Sequence, residues 1–250
     1  MTTQTGNRFF RPMLWPTLVT LAALAILVGL GAWQLERLQW KLGLIATIEQ
    51  RMAEPAAPVP VESAWSALDL KALEYRHLRL AGTFQNDKEL HYFTQNDDGD
   101  PGYDIVTPLA LAQGGVVLVD RGFVPLEKKD ASTRAAGQIE GETSLTGVAR
   151  APQARGLFSN ADDVAKNIWY TRDPKTMGEA LKLEHVAPFY VEADGAPNAG
   201  GFPVGGRTQV NIRNEHLQYA ITWFGLAAVL LAVYLSYHWS NGRIGRRKND

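Results

Sequence analysis

His216 sits in Asn214-Glu215-His216-Leu217-Gln218-Tyr219-Ala220, at the lip of the last long apolar run. A neutral imidazole offers a nitrogen lone pair to a metal, and an ionisable side chain at the edge of a membrane span is a functional-site candidate. At helical spacing, Tyr219, Ala220 and Trp223 fall on its stripe. That set suits a flat macrocycle: a nitrogen ligand for its metal, a small residue for close approach, and aromatic walls. Arg213 and Arg207 are near enough in the chain to meet acidic substituents as charge-assisted donors. The same residues also suit a simpler task, anchoring a helix at the membrane interface, where such side chains are common. On the residues alone both readings stand.

Little other chemistry is visible. The chain has no cysteine, which excludes disulfides, thiolate nucleophiles and cysteine-held metal centres. No G-x-S-x-G, H-E-x-x-H or phosphate-binding loop occurs. A net charge of -1 argues against a general nucleic-acid surface. Asp120-Arg121-Gly122-Phe123 follows a buried run and reads as a charge pair closing a strand. His77 is expected to face water, His185 to lie in a loop, and His238, between Tyr237 and Trp239, to belong to an interfacial belt. Asp97-Asp98-Gly99-Asp100-Pro101-Gly102 resembles part of a calcium loop but lacks its closing glutamate, so a turn is expected.

Two apolar blocks must position His216. The first, residues 13–35, carries no charge, and the second spans residues 214–239. Each exceeds the roughly 20 residues that cross a bilayer core. The first is too long for a signal-peptide core, so a retained anchor is expected. Small residues at Ala25 and Gly29, and at Ala228 and Ala232, suggest faces for helix pairing. Arg8 and Arg11 precede the first block, and Arg243, Arg246, Arg247 and Lys248 follow the second. The positive-inside rule therefore puts the tails, residues 1–12 and 240–250, in the cytoplasm and the middle outside.

Residues 36–60 read as a helix continuing outward and a stiff linker at Pro55, Pro58 and Pro60. Residues 61–213 form the outer domain. Strand signals dominate it: residues 76–85, 89–94, 103–111, 116–119, 141–149, 167–172 and 188–193, with helices near 66–73 and 174–183. Strands adjacent in sequence imply an α+β domain with mainly antiparallel sheet between two transmembrane helices.

Several stretches carry a family likeness. They are Trp33-Gln34-Leu35-Glu36-Arg37 with Lys41, Gly82-Thr83-Phe84, Gly102-Tyr103 with Thr107-Pro108-Leu109, and Val117-Leu118-Val119-Asp120-Arg121-Gly122-Phe123-Val124-Pro125. Trp169-Tyr170 and the closing run from Asn214 to Phe224 complete the set. Over nearly its whole length the chain resembles the Surfeit-locus (Surf-one) family of cytochrome oxidase assembly proteins, in its bacterial form. It has Glu215 where the family pattern has asparagine, and Ile168 where the pattern often has proline.

The resemblance implies a non-enzymatic factor that binds haem a transiently and helps insert it into subunit I of a haem–copper oxidase. His216 would then be the iron ligand, with Tyr219, Trp223 and Arg213 around the macrocycle. Oxidase subunit I, haem a synthase and membrane lipid are the implied partners, and a homo-oligomer is left open. The implied location is the cell inner membrane, with both termini cytoplasmic and the central domain periplasmic. The alternative is a cofactor-free docking or scaffold protein for oxidase assembly, in which His216 is only part of the binding surface. A transmembrane sensor is disfavoured by a tail of about ten residues, far below a signalling domain, and a hydrolase by the missing nucleophile motif.

Overall fold

The computed structural model describes residues 8–153, 155–156, 160–208, 212 and 214–246. They fall into two units, Met1–Ala46 with Asn211–Asp250, and Thr47–Val210. In chain order the elements begin with β1 (Arg8–Phe10), α1 (Leu14–Ala53), β2 (Ala57–Pro58) and α2 (Leu70–Leu73). There follow β3 (His77–Phe84), β4 (Leu90–Gln95), β5 (Pro101–Leu111), β6 (Val116–Pro125) and β7 (Glu142–Arg150). The last are β8 (Ile168–Trp169), α3 (Pro174–Ala180), β9 (Val186–Ala193), α4 (His216–Ser240) and β10 (Ile244–Arg246).

Both α1 and α4 are long and apolar enough to cross a membrane. The 40 residues of α1 extend about 60 Å, twice a bilayer core. The covered positions of α1 include Thr17, Thr20, Leu24, Leu27, Gly31 and Gln34, and those of α4 include Ala220, Trp223, Ala227, Leu230, Tyr234 and His238. Spacing by threes and fours is that of an antiparallel helix seam. The expected small-residue faces are not this seam: Ala25, Gly29, Ala228 and Ala232 are exposed, and nothing lies within 4 Å of a Cβ placed on Gly29. The close approach is instead at Gly31, where an added Cβ would stand 2.7 Å from the Phe224 ring. Gly31→Val should therefore cost about 1–3 kcal/mol by overpacking, whereas Gly29→Val should be near neutral. Thermal unfolding of the two variants in detergent checks the contrast.

At the other end of the seam, Thr17 and Tyr234 hydroxyls meet at 2.7 Å. His238, expected in an interfacial belt, is fully buried. Its Nδ1–H donates to the Tyr234 carbonyl at 3.0 Å, and Nε2 accepts from the Met13 amide at 3.2 Å. That amide lies beside the first turn of α1, where backbone donors lack helical partners. The described parts of both tails pair with each other, β1 with β10, antiparallel from Arg8↔Arg246 to Phe10↔Ile244.

The unit Thr47–Val210, the outer domain of the sequence reading, is built on an eight-stranded sheet, mainly antiparallel as expected. A pairing between β3 and β5, Gly82↔Leu111 to Phe84↔Leu109, closes five of its strands into a barrel. Around the ring β3 pairs with β5, β5 with β6, β6 with β9, β9 with β7, and β7 with β3; of these pairings only β6–β9 is parallel. This five-strand Greek-key order is that of an OB-type barrel. Alternation along β3 points Leu78, Leu80 and Phe84 inward, where they join Leu109, Val117, Val119, Phe189 and Val191 in one core. Gly82 pairs with β7 on one side and β5 on the other, and a Cβ there would stand 2.1 Å from the Ala110 carbonyl oxygen.

The sequence pattern ends the buried run at Val119, but β6 continues to Pro125. Opposite it, the register slips between Asp104 and Val106, a β-bulge beside Asp120-Arg121-Gly122. Gly122 has φ +111°, and a Cβ would meet the Val204 carbonyl oxygen at 2.0 Å, so only glycine fits. Residues 96–99 form the turn expected in place of a calcium loop, with Asn96 Oδ1 accepting from the Asp98 and Asp100 amides.

Candidate functional site

His216 is the first residue of α4, and its nearest polar partner comes from the other helix. Its Nδ1 lies 2.6 Å from Gln34 Oε1. An amide oxygen only accepts, so Nδ1 carries the proton, and in the neutral ring Nε2 keeps its lone pair. Gln34 is 8% exposed and belongs to the seam, which fixes the ring's rotation. Metal-ligating histidines usually donate their second N–H in this way, because it selects the tautomer and raises ligand basicity. His216 could therefore offer Nε2 to a metal.

The companions expected around His216 divide. Tyr219 is 51% exposed. Trp223 is partly covered in the seam. Ala220, read as the small residue for close approach, is instead buried in the helix pair and so is not free to meet a ligand. Arg213 lies outside the described residues. Arg207 is engaged in the outer unit, donating to Asp104 at 3.1 Å and to the Gln95 carbonyl at 2.8 Å. Sequence reasoning missed Gln34, although it is the second residue of the Trp33-Gln34 stretch. The available signal was a polar residue in an otherwise apolar span.

The outer unit holds a second constellation, in a cleft of about 1040 Å³ lined by Asp104, Asp120, Arg150, Arg172, Tyr190 and Glu192 among others. Arg172 bridges two carboxylates, pairing with Asp104 and lying 2.9 Å from Asp120. Its guanidinium also stacks 3.7 Å from the centroid of Tyr92. Arg150 takes Glu192 through both oxygens at 3.0 and 3.1 Å. Asp120 therefore does pair, but with a residue far along the chain and not with its neighbour Arg121. Burial, with Asp104 beside it, pushes the Asp120 carboxyl up to about 7, and burial raises Asp104 as well. Opposite behaviour marks Glu89, where bonds from His91 and Arg134 outweigh burial and lower the carboxyl.

The histidines of the outer unit each face an acid. His77 lies 3.3 Å from Asp194, His91 3.2 Å from Glu89, and His185 2.5 Å from Glu62. Among the described residues, no group of three or more metal-ligating side chains occurs.

A stability profile follows from Asp120. Because the folded state holds its proton more tightly than the unfolded chain, folding gains from this group at low pH. The gain fades as pH rises from about 4 towards about 7. Asp120→Asn should flatten that slope, leaving the acid-side loss from lowered carboxylates such as Glu89. Denaturant unfolding of both proteins at half-unit pH steps measures the difference.

Known proteins match most of the chain. The SURF1 family profile matches residues 21–228. Surfeit locus protein 1 of Takifugu rubripes is 35% identical over 227 residues, spanning 84% of this chain and 90% of that protein. The Mus musculus protein of the same name is 39% identical, over 84% of this chain and 70% of its own length. The Homo sapiens protein is 37% identical, over 84% and 72%. With a seam that delivers His216, a barrel built on the β6 motif and a profile match running through both, the chain belongs to the SURF1 family.

Proposed function

We propose that this protein is a membrane-held assembly factor for a haem–copper terminal oxidase, which takes haem a into transient custody and assists its insertion into subunit I. The Gln34–His216 hydrogen bond carries the reading, because it leaves Nε2 of His216 as a ready axial ligand. Tyr219 and Trp223 would flank the macrocycle, and Arg213 would meet a propionate. A single neutral imidazole held by a neutral amide is a modest donor, which suits a cargo that must be released. The farnesyl tail of haem a would lie in lipid beside the exposed apolar faces of α1 and α4. No bond in the cargo is made or broken, so the role is not enzymatic.

The remaining features fit this role. The basic flanks favour cytoplasmic termini and a periplasmic outer unit in the cell inner membrane. The outer unit would dock subunit I or haem a synthase. A handover experiment tests the proposal. Haem a-loaded protein is mixed in detergent with haem-free subunit I, and the two are separated. Transfer of haem a to subunit I, slowed or lost when His216→Ala protein is used, supports custody. Equal oxidase assembly by His216→Ala would leave the cofactor-free docking reading as the better one.

A further inference from the structure

Asp120 and Arg121 are neighbours that serve different cavities. Asp120 faces the charged cleft, whereas Arg121 follows Val117 and Val119 at two-residue spacing toward the end of the barrel. Arg121 is 3% exposed, and its guanidinium lies 4.8 Å from the centroid of Phe84, a core residue. Nη2 donates to the Gly137 carbonyl at 2.5 Å, while Nη1 has no hydrogen-bond partner among the described residues. No carboxylate among them pairs with Arg121, since the nearby acid Glu89 is taken by Arg134 and His91. A buried charge without a counter-charge is costly, and proteins normally pair it. Burial, aided by the Arg134 charge, lowers Arg121 to about 10, the mark of a cation short of compensation.

The same side chain lines a cavity of about 370 Å³ together with Arg79, Thr143, Thr146 and Asn198. This is within the size range of small-molecule sites, and the mouths of β-barrels are common places for them. Among the described residues its wall holds one acid, Asp194, which already faces His77 at 3.3 Å. Two guanidiniums, threonine hydroxyls and one acid make a surface short of one negative charge. A planar guanidinium fork with a free Nη matches a carboxylate, and the bulge at Gly122 is the kind of irregularity that re-aims a side chain at a site.

We propose that the barrel mouth at Arg121 is a binding site for the carboxylate of a small organic acid or of a peptide C-terminus. Arg121 Nη1 would supply the central donor, with Arg79 and the β7 threonines at the rim.

The test uses the full chain in detergent, isolated from a host that makes no haem a, so that its outcome is separate from the haem reading. Thermal unfolding is followed with succinate, with phosphate, and with a short peptide bearing a free or an amidated C-terminus, all at matched ionic strength. Succinate or the free-acid peptide should raise Tm saturably, by about 5 °C well above Kd, and phosphate or the amidated peptide should not. The arm that responds identifies the source of the carboxylate. Arg121→Met should abolish the shift while leaving the ligand-free Tm equal or higher, because it removes an uncompensated charge. If Arg121→Met does not fold, the rim variant Arg79→Ala decides, with an expected Kd increase of about tenfold. A Tm shift no larger than that of chloride would overturn the proposal. So would a shift unchanged in Arg79→Ala and, where it folds, in Arg121→Met.

Discussion

Replacing Arg172 by methionine should unfold the outer unit at about 3–5 kcal/mol less cost than the wild type, a fall in Tm of about 10 °C. The size follows from what the substitution strands. Asp104 loses one partner and keeps Arg207, but Asp120 is 5% exposed with no other ion-pair partner among the described residues. Methionine fills much of the space over Tyr92 but supplies no donor. The deficit should shrink as pH falls, since protonation removes the stranded charge. Adding Asp120→Asn to Arg172→Met should restore a large part of the loss, because the pair is coupled and removing both partners is cheaper than removing one. Urea unfolding of the single and double variants forms the cycle. Equal losses in the two would mean that Asp120 does not depend on Arg172.

Replacing Gln34 by leucine should weaken haem a binding about 10- to 100-fold while leaving the helix pair folded. Leucine is apolar and similar in size, so the seam keeps its packing. What disappears is the acceptor for His216 Nδ1–H at 2.6 Å, and with it the fixed tautomer and ring orientation. Gln34→Glu should act in the opposite sense. A carboxylate acceptor strengthens the imidazole as a donor to iron, so it should retain haem longer and release it more slowly. Titration of haem a into the three proteins, read in the Soret band, distinguishes them.

Much of the architecture was legible because it is written locally. An uncharged run longer than a bilayer core needs no partner to be recognised, and period-two alternation at Leu78, Leu80 and Phe84 marks β3 by itself. The helix seam was less legible. Four-residue spacing of small side chains occurs on several faces, and only the partner helix selects Gly31 over Gly29. Barrel closure was not legible at all, for Gly82↔Leu111 is a non-local pairing that no single segment announces. The same reason hid the charged site. Asp104 and Arg172 are 68 residues apart, and Gln34 and His216 are 182 apart. Asp120-Arg121 misled because adjacent charges on a strand point to opposite faces, so the apparent pair serves two cavities.

The central claim is that His216 holds haem a. The most direct measurement is a reduced-minus-oxidised absorption spectrum with a pyridine haemochrome assay. Protein is purified in mild detergent from a host making haem a, beside His216→Ala. Custody predicts near-stoichiometric haem a in the wild type, lost or spectrally shifted in the variant. A colourless wild type from a host with ample haem a would contradict it.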